Sequence, residues 1–304
     1  MKLYPWQIKD WQTFQSLKTG QAILLVGNPG IGAVEFARHV ALAMLCQGSP
    51  KPCGCCQSCQ WFMRGSHPDF WEITEEKEIG VDAIRQLNQW IFKSPHKHGK
   101  VAFIASAEKM TPFAVASILK TLEEPPSFAR FLLTTTHVSL LAPTMVSRTQ
   151  VYQLCRPAKK EALAWLEQEE VKPAAFFLTH AYDLPLVAKT LANSDYYKQY
   201  QLFIHRITQN DYDGLSRLSL ELPKFLELWR KWAFDLMWYH QKRYAVFTTE
   251  YLDILAREAS ILSSAKIAKL WEMLDTFTQK NTEVSLQQNL QIAAIAGLYA
   301  ELRA

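Results

Sequence analysis

The chain has 304 residues, 49% of them hydrophobic and 20% charged, with a formal net charge of +4. This composition indicates a globular protein of about two or three domains and excludes a disordered chain. The positive charge is spread along the chain, so no domain is marked by its charge as an autonomous nucleic-acid binder. Because no apolar stretch reaches about 18 residues and the first residues lack a signal-peptide core, we expect a cytoplasmic protein without membrane contact.

The first element with a chemical signature begins at Gly27 and reads Gly-Asn-Pro-Gly-Ile-Gly-Ala-Val. A phosphate-binding loop of the GxxxxGK[ST] type cradles phosphates with backbone N–H groups, neutralises them with its Lys and holds Mg²⁺ with its hydroxyl. Gly27, Gly30 and Gly32 keep the glycine frame, between a predicted buried strand and a predicted helix. Ala33 and Val34 occupy the Lys and Ser/Thr positions, so we expect a degenerate loop without nucleotide chemistry.

Five of the six cysteines fall within one short stretch. Four of them follow the pattern C-x6-C-x2-C-x2-C: Cys46, Cys53, Cys56 and Cys59. The C-x2-C steps let thiolates converge on one tetrahedral Zn²⁺, and a site with four protein ligands has no open position for catalysis. We therefore predict a structural zinc module over 46–59, in which Cys55 is spare because its use would break the x2 spacing. Unpaired cysteines that bind no metal are the alternative.

Short apolar runs alternate with helical patterns over the first half of the chain. Strands are predicted at 21–26, 69–74, 100–105, 130–136 and 151–154, and helices between them at 81–92 and 112–123. Repeated strand–helix units of this kind predict an α/β fold with a mainly parallel sheet and helices on both faces.

The strand predicted at 100–105 ends where a P-loop ATPase carries acidic ligands for Mg²⁺ and water. Ala105 and Ser106 stand at those positions. Glu108 follows as a displaced acid, but on such a connection a cap or a solvated charge is the more common role. The combined loss of the lysine, the hydroxyl and the acids predicts that the chain does not hydrolyse ATP.

After Pro157 every long segment has a helical period. We predict an α/β domain over 1–157, a small helical domain over 158–205 and a helical bundle over 206–304. Four tryptophans of the bundle are spaced so that we predict them on one buried face: Trp229, Trp232, Trp238 and Trp271.

Five motifs of the α/β domain follow one another in the order GSHPD at 65–69, IGVDAIR at 79–85, SILKTLEEPP at 117–126, FLLTTT at 131–136 and PTMVSRT at 143–149. Together with the cysteine pattern, this series resembles bacterial clamp-loader subunits, the AAA+ proteins of the DNA polymerase III holoenzyme. The resemblance covers about residues 4–156, and beyond them it is only architectural.

Within that family, motor subunits keep the GK[ST] residues and the acidic strand end, whereas the delta-prime class commonly loses both, and this chain resembles the latter. The resemblance implies an AAA+ P-loop-type domain with an inserted zinc module, then a lid (158–205) and an oligomerising collar (206–304). Two departures are Thr149 in place of the cysteine of the family's arginine motif and a shorter loop between the first two zinc cysteines. No arginine lies between Arg156 and Arg206, so the lid lacks the family's nucleotide-sensing arginine, in agreement with a silent site.

Arg148 lies in the family's arginine motif. The resemblance implies that its guanidinium reaches the γ-phosphate bound by a neighbouring subunit, as an arginine finger in trans. Without the resemblance, the same residue would be interpreted as a surface arginine that caps the C-terminal end of a helix.

The resemblance therefore implies an ATPase-silent subunit that assembles with motor (gamma/tau) and delta subunits, so that the complex loads the β clamp onto primed DNA. Structural zinc is the implied cofactor, and primer-template DNA is contacted only within the complex. Two alternatives stay open, an active ATPase motor that uses Glu108 and a free-standing zinc-containing nucleic-acid binder.

Overall fold

The structure, a computed structural model, describes residues 3–16, 20–75, 77–97, 99–218, 221–279 and 285–303. The chain divides into two compact units. One comprises Met1–Trp165 with Leu184–Val187, and the other comprises Leu166–Asp183 with Ala188–Ala304. None of the helices in the described ranges is long and apolar enough to cross a lipid bilayer.

The first unit is built on a parallel sheet with strands β1 (Ala22–Val26), β2 (Phe70–Ile73), β3 (Lys100–Ile104), β4 (Ala129–Thr135) and β5 (Gln150–Gln153). The strand order is β2-β3-β4-β1-β5. Ile23 of β1 is therefore paired with Leu132 on one side and with Gln150 on the other. All five strands begin and end within one residue of their predicted bounds, which confirms the predicted parallel α/β sheet.

Both faces of the sheet are buried, as alternation along β1 illustrates. Ala22, Leu24 and Val26 belong to one hydrophobic cluster. Ile23 and Leu25 belong to a second cluster on the opposite face. Because side chains alternate between the faces of a strand, an unbroken apolar run such as β1 requires a covering layer on each side.

Six helices of the first unit precede or follow these strands: α1 (Gln7–Ser16), α2 (Ala33–Leu45), α3 (Gln57–Met63), α4 (Val81–Ile91), α5 (Pro112–Glu123) and α6 (Pro143–Val146). Phe14 of α1 and Phe36 of α2 pack in the cluster of Ile23. Ile84 of α4 and Ile118 of α5 pack in the opposite cluster. The sheet is therefore the middle of three layers.

The rest of the chain contains α7 (Lys159–Gln168), α8 (Ala174–His180), α9 (Pro185–Ala192), α10 (Tyr196–Gln209), α11 (Tyr212–Ser216), α12 (Leu222–Lys242), α13 (Leu252–Ile261), α14 (Ser264–Gln279) and α15 (Ser285–Arg303). No strand occurs in the described part of this region, so its predicted helical character is confirmed. The division into domains at 157/158 and 205/206 stays a prediction.

The prediction that four tryptophans share one buried face is wrong for two of them. Trp229 and Trp232 of α12 are fully buried, whereas Trp238 of the same helix and Trp271 of α14 are only half-buried. The reason is helix geometry, because at 3.6 residues per turn Trp238 lies about 180° around the helix from Trp229. Trp238 and Trp271 instead line a surface groove of about 460 Å³ together with Phe234.

A buried carboxylate fixes the chain after α12. Asp235 is completely buried, and its two oxygens accept backbone N–H groups from Val246, Phe247 and Thr248 at 2.9, 2.9 and 2.6 Å. Burial raises the pKa of this carboxyl even though the N–H donors oppose the shift. The carboxylate thus satisfies three donors that would otherwise be buried without a partner, a loss that is costly in a protein interior.

Candidate functional site

The loop after β1 has two glycines with left-handed backbone angles and leads directly into α2. Gly30 and Gly32 have φ angles of 79° and 82°, in the left-handed region that glycine adopts without steric cost. Gly32 is the N-cap of α2, so the positive end of that helix follows directly on the loop. The predicted strand, loop and helix are therefore present in the predicted order.

The carbonyl groups of this loop are bound by the chain's own N-terminal segment. Trp6 Nε1 donates to the carbonyl oxygen of Ile31 at 2.9 Å. Gln7 Nε2 donates to the carbonyl oxygens of Ile31 and Gly32 at 3.1 and 2.7 Å. A Cβ atom on Gly32 would lie 2.7 Å from the ring of Tyr4. The shape of the loop is thus held by side chains of the same unit and needs no ligand to stabilise it.

The side chains at the two decisive loop positions are apolar. Ala33 and Val34 are the first residues of α2, and both pack against the hydrophobic cluster on that face of the sheet. They carry neither the ammonium nor the hydroxyl that a nucleotide-binding loop uses. An exposed cation does contact the loop elsewhere, since Arg156 Nε donates to Asn28 Oδ1 at 3.1 Å. Nothing in the sequence indicated that pair, because its members lie at opposite ends of the α/β region.

At the carboxyl ends of β3 and β4, polar side chains bind the backbone. Ser106 has a φ angle of 54°, and its N–H donates to Thr134 Oγ1 at 2.9 Å. Glu108 Oε1 accepts from the Thr136 N–H at 3.4 Å and from Thr136 Oγ1 at 3.3 Å. Glu108 Oε2 is buried without a partner among the described residues. Glu108 therefore neither caps a helix nor stands as a solvated charge, since its carboxylate binds Thr136 directly after β4.

Arg148 is held by its own chain in the connection after α6. Its Nε and Nη2 atoms donate to Glu123 Oε2 at 3.2 and 3.0 Å, and Nη1 donates to the carbonyl oxygen of Thr144 at 2.9 Å. The contact with Thr144 is the helix-capping role considered from sequence. The ion pair with Glu123 was not predicted, because no sequence pattern links the end of α5 to the connection after α6.

The four predicted cysteines converge on one point. All four Sγ atoms lie within 4.8 Å of one another, and they are the sulfurs of Cys46, Cys53, Cys56 and Cys59. The Cys46–Cys56 and Cys53–Cys59 Sγ distances are 3.9 and 4.0 Å. A tetrahedral Zn²⁺ with Zn–S bonds of about 2.3 Å requires sulfurs about 3.8 Å apart. The arrangement therefore fits a four-coordinate metal ion, and Cys55 is exposed and outside the set.

The local backbone favours thiolates in this cluster. The N–H groups of Cys53, Cys56 and Cys59 donate to the Sγ atoms of Cys46, Cys53 and Cys56 at 3.2, 3.4 and 3.5 Å. Hydrogen bonds from backbone N–H groups, that of Cys56 first, lower the pKa of Cys53 to about 6. Burial raises the pKa of Cys59 to about 12. Gly48 is required here because a Cβ atom would lie 2.6 Å from Cys53 Sγ.

His67 anchors the cysteine segment and is no metal ligand. Its Nε2 lies 2.7 Å from Ser58 Oγ, and Ser58 Oγ donates to the Leu45 carbonyl oxygen at 2.7 Å. His67 Nδ1 accepts the Asp69 N–H at 3.1 Å. The ring is therefore neutral with its proton on Nε2, and burial lowers its pKa in agreement. His67 is therefore a hydrogen-bonded turn residue.

Comparison of the sequence with known proteins gives one consistent family. Residues 7–158 match the family described as DNA polymerase III, delta subunit. The delta' subunit of DNA polymerase III from Haemophilus influenzae is 30% identical over 302 residues, which cover 95% of this chain and 88% of that protein. The delta' subunit from Pseudomonas aeruginosa is 37% identical over 172 residues, covering 54% of this chain and 52% of that protein.

A search of solved structures finds a DNA polymerase III gamma subunit-related protein from Thermotoga maritima. It shares 20% sequence identity with the chain, covers 98% of it and all of its own length, and has a TM-score of 0.48.

Proposed function

The chain belongs to the family of DNA polymerase III delta' subunits, and from this membership we propose that it is the ATPase-silent member of a clamp-loader complex. One observation carries the silent role. The phosphate-loop backbone is intact, yet its two chemically decisive positions are Ala33 and Val34. A loop of this kind without Lys and hydroxyl lacks the groups that neutralise the phosphates and hold Mg²⁺.

Arg148 is the residue through which the chain would act on a neighbour. Its side chain is 29% exposed, and the planar, permanently charged guanidinium is suited to stabilising charge on a transferring phosphoryl group. We assign it the role of an arginine finger that reaches the γ-phosphate of ATP bound by the next subunit. The support for this assignment is the arginine motif and the exposed position of the side chain.

The partners follow from the family. The complex would contain motor (gamma/tau) and delta subunits, would open and load the β sliding clamp, and would hold primer-template DNA between its subunits in the cytoplasm. Within the chain, 1–157 would be the AAA+ domain, 158–205 the lid and 206–304 the collar through which subunits associate. The cysteine cluster would hold a structural Zn²⁺ that fixes the segment 46–59.

The test measures the isolated chain first and the assembly second. Titration of the purified protein with a fluorescent ATP analogue should give no saturable Mg²⁺-dependent binding, and its ATPase rate should equal the buffer background. Affinity-tagged protein from its native cell should then carry the motor and delta subunits with it. Robust hydrolysis by the isolated chain would favour the motor alternative. Tight, steeply salt-dependent DNA binding without partners would favour the nucleic-acid-binding alternative.

A further inference from the structure

The ion pair between Arg148 and Glu123 has a specific geometry. Nε and Nη2, the two nitrogens on one edge of the guanidinium, both donate to a single carboxylate oxygen, Oε2, at 3.2 and 3.0 Å. The third nitrogen, Nη1, donates to the Thr144 carbonyl oxygen at 2.9 Å. Glu123 is the last residue of α5 and Arg148 follows α6. Two separate connections thus meet at one guanidinium.

These contacts leave part of the guanidinium for another ligand. An arginine side chain has five N–H groups, and the three short bonds use one on each nitrogen. One N–H on Nη2 remains, and the second on Nη1 has only a weak contact of 3.5 Å with Ser147 Oγ. The end of the fork, formed by Nη1 and Nη2, is the part that binds two phosphate oxygens side by side.

We propose that Glu123 is a positioning residue for Arg148: its carboxylate holds one edge of the guanidinium so that the Nη1/Nη2 end is oriented toward a phosphate on the neighbouring subunit. The inference rests on the proposed finger role of Arg148. A long arginine side chain loses rotamer freedom when it binds, and restraining it beforehand reduces that loss at the moment of reaction.

The bond is not needed for folding, which makes it testable. Glu123 is 59% exposed and Arg148 is 29% exposed at the side chain. Ion pairs in such positions contribute little to stability because water and salt screen them. Removal of the carboxylate is therefore expected to leave the fold intact and to change the orientation of Arg148.

The experiment uses the reconstituted complex of this chain with motor and delta subunits, the clamp and primed DNA, with kcat and KM for ATP measured separately. Glu123→Ala should lower kcat by roughly two- to tenfold with little change in KM, since orientation affects the transition state more than ground-state binding. Glu123→Gln keeps an acceptor oxygen at the same reach and should remain close to wild type. Glu123→Asp keeps the charge but is one methylene shorter, and its kcat should be reduced as much as that of Glu123→Ala.

The matched control is Glu124→Ala, which removes the adjacent exposed carboxylate and should leave both constants unchanged. The hydrogen bonds given by Arg148 go to Glu123, Thr144 and Ser147. The double variant Glu123→Ala with Arg148→Ala should be no slower than Arg148→Ala alone, because Glu123 acts only through that arginine.

The outcomes separate the two proposals. If Arg148→Ala itself has the wild-type rate, the finger role in the proposed function fails. If Arg148→Ala is slow but Glu123→Ala has wild-type kcat, only the positioning role is overturned. The positioning role would also be overturned if the losses of kcat in the two single variants added up in the double variant. A higher kcat for Glu123→Asp than for Glu123→Gln would overturn it as well, because the charge of residue 123 and not its geometry would then be responsible. If the Ala variant does not assemble, the Gln and Asp variants alone decide the question.

Discussion

The two ends of α2 differ in whether the residues there can bind a ligand. The helix spans 13 residues, so its ends lie about 20 Å apart. At its N-terminus the phosphate loop keeps the backbone geometry, while Ala33 and Val34 have no ligand chemistry. At its C-terminus Cys46 is the C-cap and one of four sulfurs at distances that suit a metal ion. One helix therefore connects a loop that lacks ligand-binding side chains to a cluster whose side chains and geometry both suit a metal ion.

The difference shows what maintains each region. The loop is held by Trp6 and Gln7 of the same unit, so its shape survives the loss of the groups that bind a ligand. Four cysteine sulfurs lie within 4.8 Å of one another, and as thiolates they would repel one another unless a cation neutralised them. We infer that the loop is retained for the fold and the cysteines are retained for their ligand.

The largest effect is expected at the C-terminal end of α2. Changing any of Cys46, Cys53, Cys56 or Cys59 to Ser should reduce zinc from one ion per chain to almost none, since a closed tetrahedral site loses most of its affinity with one thiolate. Metal analysis of freshly purified protein by mass spectrometry is the measurement. Cys55→Ser, the exposed neighbour, is the control and should retain the metal. If freshly purified wild-type protein contains no zinc, the cysteine cluster is not a metal site and the contrast between the two ends of α2 fails.

The next effect tests the N-terminal end of α2. Ala33→Lys combined with Val34→Thr should convert undetectable ATP binding into measurable binding, because the backbone that receives the phosphates is already in place. Hydrolysis should stay absent, since Ala105 and Ser106 provide no acid for Mg²⁺ or water. Calorimetric titration with a non-hydrolysable ATP analogue checks this, with Ala33→Gln as the uncharged control. Failure of the double variant to bind would mean that Tyr4 and Gln7 close the loop to ligands.

A smaller effect is expected from Arg148→Ala in the assembled complex. A finger supplied in trans can contribute about 10³–10⁵ to the rate at its own site, but motor subunits would supply fingers to the other sites, so we expect a loss of roughly tenfold or less. Arg148→Lys should recover only part of it, because an ammonium lacks the two-pronged geometry. Steady-state ATPase at saturating clamp and DNA is the readout. If ATP hydrolysis and clamp loading are unchanged, Arg148 acts only as a helix cap that binds the Thr144 carbonyl oxygen.

The smallest effect is the one that metal removal has from one end of α2 to the other. A chelator should increase amide hydrogen exchange over 46–59, where metal binding and local folding are coupled, and should leave exchange in the loop from Gly27 to Gly32 unchanged. The reason is that Phe36 and Val40 of α2 are buried in one cluster with Ile23 of the sheet, and we expect this packing to persist without the metal. Exchange that rises at both ends would show that the two regions are coupled through the helix.

The interior strands of the sheet could be predicted closely from sequence because they are buried. The central strands β1 and β3 are apolar at nearly every position, and turn residues or helical patterns follow each one. The helix α5 was predicted with its observed bounds, Pro112–Glu123, since Pro stands in its first turn and Pro125 stops it. The helices α1 and α3 were missed, because α1 is largely polar and α3 has only seven residues, too few to show a helical period.

The candidate site was predictable where it depends on spacing and was not where it depends on long-range contacts. The cysteine ligand set follows from short steps along the chain. The pairs Arg148–Glu123 and Arg156–Asn28 join residues from different connections, and charged surface residues have no pattern that reveals their partners. The burial of Trp238 was predicted wrongly because the prediction relied on its apolar side chain and not on its angular position on α12.

The strand order β2-β3-β4-β1-β5 also has a consequence for the timing of biosynthesis. β1 is translated early, yet both of its neighbours in the sheet, reached through Leu132 and Gln150, are translated much later. At about 5–20 residues per second, a ribosome supplies the second neighbour on the order of ten seconds after β1. Until β4 is translated the most apolar strand of the nascent chain has two unpaired edges, and one remains unpaired until β5 follows. Unpaired edges of this kind associate with other nascent chains or with chaperones. The α/β unit is therefore expected to fold only after β5 has left the exit tunnel.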